Sequence, residues 1–171
     1  ELADTTDSQT IDVDDAFAGI TKFVISGNDT AAQGVYTIND AATGSTITLK
    51  NVDPDATDVD DVTVDLKTDG TADTMTFNVG TATVATSFDT LTADDPESVT
   101  LALGSKDGHS IANLDLTDAT AVTMSGAGNA TIAGINLKDA ANSFDASAAT
   151  GDLALAFEDD QNQTIKTGSG K

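Results

Sequence analysis

The densest run of side chains able to do chemistry is Asp53-Pro54-Asp55-Ala56-Thr57-Asp58-Val59-Asp60-Asp61. Several carboxylates in one short loop suit a hard cation, because calcium takes six to eight oxygen ligands. Asp53, Asp55, Asp58, Asp60 and Asp61 are therefore candidate calcium ligands, with a solvated acidic loop as the plainer reading. The run is not an EF-hand. Counted from Asn51, Asp53 and Asp55 stand at the third and fifth places, but Ala56 replaces the required glycine and Val62 the required glutamate. Asp12-Val13-Asp14-Asp15, Asp94-Asp95 with Glu97, and Glu158-Asp159-Asp160 are weaker clusters of the same kind.

Asp118 and Asp139 are candidates for a different reason: they occupy the same place in an internal repeat. On stacked strands about 4.8 Å apart, one ion can bridge two aligned oxygens. The commoner role of such an aspartate is to close its own turn.

Catalytic arrangements are poorly represented, and the chain is read as a non-enzyme. His109 is the sole histidine, in Lys106-Asp107-Gly108-His109-Ser110, which reads as an exposed turn. No Gly-x-Ser-x-Gly elbow accompanies it. Gly126-Ala127-Gly128-Asn129 lacks the lysine of a phosphate-binding loop. One tyrosine, six phenylalanines and no tryptophan leave few platforms for a sugar. Asn28, Asn129 and Asn162 each open a glycosylation sequon, a weak three-letter signal.

The elements that must position these residues are strands. Threonine, valine, glycine, asparagine and aspartate dominate, and no sustained helical periodicity is present. Short alternating runs recur, such as Val35-Tyr36-Thr37-Ile38, Thr46-Ile47-Thr48-Leu49, Met75-Thr76-Phe77-Asn78-Val79 and Val99-Thr100-Leu101-Ala102-Leu103. Leu114-Asp115-Leu116-Thr117-Asp118-Ala119 returns as Ile135-Asn136-Leu137-Lys138-Asp139-Ala140, and more loosely as Leu155-Ala156-Phe157-Glu158-Asp159-Asp160. Val122, Phe144 and Ile165 form a second column, and the period is roughly 21 residues.

That period predicts an all-β chain with a parallel β-solenoid (β-helix) at least in its C-terminal half. Leu116, Leu137 and Phe157 are expected to enter one core on successive rungs. The first half reads as either an irregular solenoid or a β-sandwich. Val62, Val64 and Leu66 correspond there to Val99, Leu101 and Leu103, and Phe77 and Val79 to Leu114 and Leu116, at an offset near 37. Pro54 and Pro96 mark loops, giving a β-rich segment over 1–95 and solenoid repeats over 96–171.

Composition narrows the partners. A net charge of −22, from 29 acids against 7 lysines, argues against nucleic acid and anionic membrane surfaces. Without cysteine there are no disulfides or thiolate sites, so stacked rungs or bound metal must hold the fold. No apolar run reaches the length of a membrane span, and neither end has the form of a targeting signal; both read as cuts within a longer polypeptide.

Val122-Thr123-Met124-Ser125-Gly126-Ala127-Gly128-Asn129, followed by Asn142-Ser143-Phe144-Asp145-Ala146-Ser147, resembles the strand repeats of bacterial surface-layer proteins exported by type I secretion. Thr164-Ile165-Lys166-Thr167-Gly168-Ser169-Gly170-Lys171 is similar to the opening of an RTX calcium repeat, although no complete Gly-Gly-x-Gly-x-Asp nonapeptide is present. The resemblance covers the last 75 or so residues. It implies secretion to a bacterial cell surface, calcium as cofactor and self-association into a lattice or with neighbouring repeats. Cell-surface polysaccharide is a further candidate partner. The alternative is a stalk or ligand-binding module of a large secreted calcium-dependent adhesin, since such adhesins carry similar strand repeats.

Overall fold

A computed structural model of the 171-residue chain describes residues 2–3, 9–13, 19–26, 34–50, 60–138, 142–158 and 163–170. In chain order the strands are β1 (Leu2–Ala3), β2 (Gln9–Asp12), β3 (Lys22–Ser26), β4 (Val35–Ala41) and β5 (Ser45–Lys50). Next come β6 (Asp61–Leu66), β7 (Thr74–Val79), β8 (Ser87–Thr92), β9 (Ser98–Leu103) and β10 (His109–Leu116). The series ends with β11 (Ala121–Gly126), β12 (Ala130–Leu137), β13 (Ser143–Ala149), β14 (Leu153–Phe157) and β15 (Thr164–Lys166).

Odd-numbered strands make an 8-stranded sheet and even-numbered strands a 7-stranded sheet. The pairings are parallel. Each coil crosses from one sheet to the other and back, so neighbours within a sheet are two strands apart in sequence. This is a two-sheet parallel β-solenoid.

Period-two alternation drives it. In β5, Ser45, Ile47 and Leu49 are buried while Thr46, Thr48 and Lys50 face outward. The inward residues of both sheets fill one core, with Phe77, Phe88, Phe144, Ile47, Leu101 and Ile111 among its largest fully buried side chains. Burying a side chain of this size stabilises by about 1.5–3 kcal/mol, and each rung supplies several. Threonine suits the outer faces because a β-branched residue fits a pleated, half-buried surface.

The expected stacking holds in the later half with one slip. Leu114 lies opposite Ile135 and Leu116 opposite Leu137. Val122 lies opposite Phe144, and Phe144 opposite Ile165. Phe157, however, stacks on Ile135 and not on Leu137. Leu155 pairs with Ile132, so Ala133 and Gly134 together oppose Ala156 in a bulge that advances the register by one residue.

The sandwich alternative for the first half does not hold. β2, β4, β6 and β8 continue one parallel ladder, and β3, β5, β7 and β9 the other. The offset near 37 is not a rung repeat, because Val62 lies in the even sheet and Val99 in the odd one. That interval is one full coil plus the step to the opposite sheet. True rung partners are Phe77 with Leu101 and Val79 with Leu103. Both sheets pass residue 95 without interruption, β7 pairing with β9 and β8 with β10, and Pro96 sits in the turn before β9.

Candidate functional site

The acids of this chain gather where strands begin, bend and end, and their commonest partner is a backbone amide one coil away. Buried Asp60 accepts the Gly34 N–H through Oδ1 at 2.7 Å. Asp61 Oδ1 accepts Thr90 N–H at 3.1 Å, and Asp95 Oδ2 accepts Leu66 N–H at 2.7 Å. Glu97 Oε2 accepts Asp73 N–H at 2.8 Å, and Asp107 Oδ1 accepts Asn129 N–H at 3.1 Å. Each bond clasps two rungs at a corner where the regular ladder is interrupted. A hydrogen bond to a charged group contributes about 1.5–3 kcal/mol, so these carboxylates stabilise the stack although the total charge opposes it.

The most concentrated acidic corner follows β8 and β10. Asp94 accepts the Thr117 hydroxyl at 3.1 Å, with Asp115, Asp95 and Asp118 nearby. Loss of solvation raises the Asp94 pKa, the Thr117 hydroxyl opposes the shift, and the three neighbouring carboxylates reinforce it. Asp118 Oδ1 lies 3.2 Å from Lys138 Nζ on the next rung. One face of β13 carries a complementary arrangement. Asp145 Oδ1 accepts Ser147 N–H at 3.0 Å and Oδ2 pairs with Lys166 Nζ at 3.0 Å. The Ser147 side chain and amide, then Lys166, hold its carboxyl at about 2.

These observations place the candidate calcium ligands individually. Asp60 and Asp61 are adjacent, yet they engage separate amides on different coils. Asp118 faces a lysine. Asp53, Asp55, Asp58 and Asp139 lie outside the described residues. Among the described residues, no three histidine, aspartate or glutamate side chains converge as a metal site. Each of the three described candidates joins its rung to a neighbouring one. Sequence reasoning missed Asp95, Glu97 and Asp107 as clasps. The signal was available, because each lies 22–29 residues from its amide partner, close to one coil length.

His109 requires a correction. It is not in an exposed turn but is 2% exposed at the start of β10. Its Nε2 lies 3.3 Å from the Gly104 carbonyl, so the neutral ring donates from that nitrogen. Burial lowers its pKa, opposed by the Gly104 bond and by Asp107. Glycines make the room for it: a Cβ on Gly80 or Gly128 would strike the imidazole. Gly104, Gly128 and Gly151 form a column at this corner, where a Cβ on each would strike the backbone of the preceding coil.

A groove of about 450 Å³ lies on the last rung against Leu153, Leu155, Phe157 and Ile165. It is lined by core-type side chains and glycines rather than by convergent polar groups. Compared with protein-family models, with curated proteins and with solved structures, the chain matches none.

Proposed function

We propose that this chain is a structural segment of a secreted protein that assembles on a bacterial cell surface, with calcium ordering or bridging its acidic loops. The observation that supports this reading best is the parallel solenoid whose carboxylates are spent on clasping coils. That is a building element, stabilised by neighbours on both sides of every rung. On this reading the chain performs no reaction. Its partner is another copy or an adjoining repeat, and cell-surface polysaccharide is the secondary candidate.

Calcium bridging requires a multivalent ion, whereas charge screening requires only ionic strength. Light scattering of the protein in millimolar calcium is therefore expected to rise well above that in sodium chloride of equal ionic strength. Equal scattering in the two salts would reduce the role of calcium to general screening and refute that part of the proposal.

A further inference from the structure

The two sheets differ in charge far more than the composition predicts. The even-numbered strands carry six aspartates, at positions 12, 40, 61, 65, 89 and 115, and no lysine. The odd-numbered strands carry Lys22, Lys50 and Lys166 against the single Asp145. In a chain of net charge −22, the described strands of one sheet thus carry a small net positive charge and those of the other a net negative one. Lys22 and Lys50 are exposed and form no ion pair among the described residues.

The positive face also carries a row of threonines. Thr46 lies opposite Thr76, Thr76 opposite Thr100 and Thr100 opposite Thr123, giving an uncharged ladder across its middle. The negative face carries its own ladder, Thr10, Thr37, Thr63 and Thr92. Both ladders repeat at the strand spacing of about 4.8 Å, so two such faces share one lattice. An 8-stranded sheet with strands of about five residues presents a face of roughly 600 Å², approaching the ~800 Å² per partner of a standard interface.

We infer that copies of this chain pack side by side, the odd-strand face of one on the even-strand face of the next. The inference rests on the self-association proposed above and names its interface. A second copy displaced sideways, without shift along the axis, brings Lys22 on β3 and Lys50 on β5 to the levels of Asp40 on β4 and Asp65 on β6. Like faces are disfavoured: two even-strand faces would juxtapose twelve aspartates, twice the six on each, and like charges set against each other across an interface suppress the contact. A contact between two different faces does not close on itself, so it propagates as an open row instead of stopping at a dimer.

Charge reversal tests this directly. One variant combines Lys22→Glu with Lys50→Glu; the other combines Asp40→Lys with Asp65→Lys. Lys22, Lys50 and Asp65 are exposed and Asp40 is partly exposed, and circular dichroism checks that the strands persist. In millimolar calcium, sedimentation should show each variant alone associating about tenfold or more weakly than the wild type. An equal mixture of the two should recover wild-type association, because every contact is again between opposite charges. Wild-type-like association of either variant alone, or no recovery on mixing, overturns the interface while leaving self-assembly in place. Wild-type assembly that persists after calcium is chelated overturns the calcium role and leaves the interface. A wild type that remains monomeric throughout overturns both.

Discussion

The glycine column beside His109 allows steric and conformational costs to be separated. A Cβ on Gly128 would fall well inside contact distance of the Gly104 carbonyl oxygen and 2.9 Å from His109 Nε2, whereas ordinary contact needs 3.4 Å or more. The obstructing atoms are mainly backbone, so the two rungs must part, by roughly 1 Å. Three hydrogen bonds hold them there: Gly108 N–H and His109 N–H to the Asn129 carbonyl, at 3.1 and 3.0 Å, and Asn129 N–H to Asp107 at 3.1 Å. Lengthening each by that amount removes about 1 kcal/mol apiece, so Gly128→Ala is expected to destabilise by about 2–3 kcal/mol. For a chain of this size the loss corresponds to a fall of about 5–10 °C in Tm. Gly44→Ala is the control. Gly44 has φ +80 with nothing within 4 Å of its Cβ position, so that change costs only the left-handed backbone penalty of about 1–2 kcal/mol. Thermal unfolding gives the totals, and amide hydrogen exchange at His109 and Asn129 locates the opening. If Gly128→Ala lowers Tm no more than Gly44→Ala, or leaves those amides as protected as before, backbone contact at this corner does not limit the stack.

Two further expectations concern pH. The folded chain holds His109 neutral while the unfolded chain does not, so the unfolded state takes up the proton first. Stability should therefore fall as pH drops below about 6.5, and His109→Gln should flatten that part of the profile of Tm against pH. Asp145 behaves in the opposite sense to a raised acid: its folded value of about 2 lies below the ordinary carboxylate range. Its contribution is present above about pH 4 and fades as pH falls towards 2. A carboxyl resonance titrating near 4 would refute the Ser147 and Lys166 contacts.

Legibility of the fold followed coil length. From Leu116 to Leu137 and from Phe144 to Ile165 the coils are 21 residues long, so the repeat stands out in the bare chain. Earlier coils are longer and unequal: Phe23 meets Ile47 after 24 residues, and Ile47 meets Phe77 after 30. With no constant interval, the alternation alone aligns Val62 with Val99 across the two sheets and leaves a sandwich open. Phe157 was displaced by a bulge whose only local mark is Gly134. The same limit applied to the candidate site. His109 reads as a turn residue because Gly108 and Ser110 flank it, yet its burial depends on Gly80 and Gly128, which only coiling brings near. Asp60 and Asp61 look like members of one acidic run, and their amide partners lie 26 and 29 residues away. Charge asymmetry between the faces was invisible until alternate strands could be assigned to different sheets.

The absence of hairpin pairing among the described strands sets how this chain must reach its structure. Every ladder contact closes a loop of at least 21 residues, so no pair of strands can form cheaply as a local event. Loop-closure entropy rises only as the logarithm of length, and a 30-residue coil therefore costs only about 0.3 kcal/mol more to close than a 21-residue one. The barrier lies in the first two rungs, which must close before either has a formed edge to dock on. After that, each new strand meets a ready template and the remaining coils follow at nearly uniform cost. Folding should then resemble the growth of a crystal from a seed, slow to start and quick to extend, and a preformed rung from a neighbouring segment could serve as that seed.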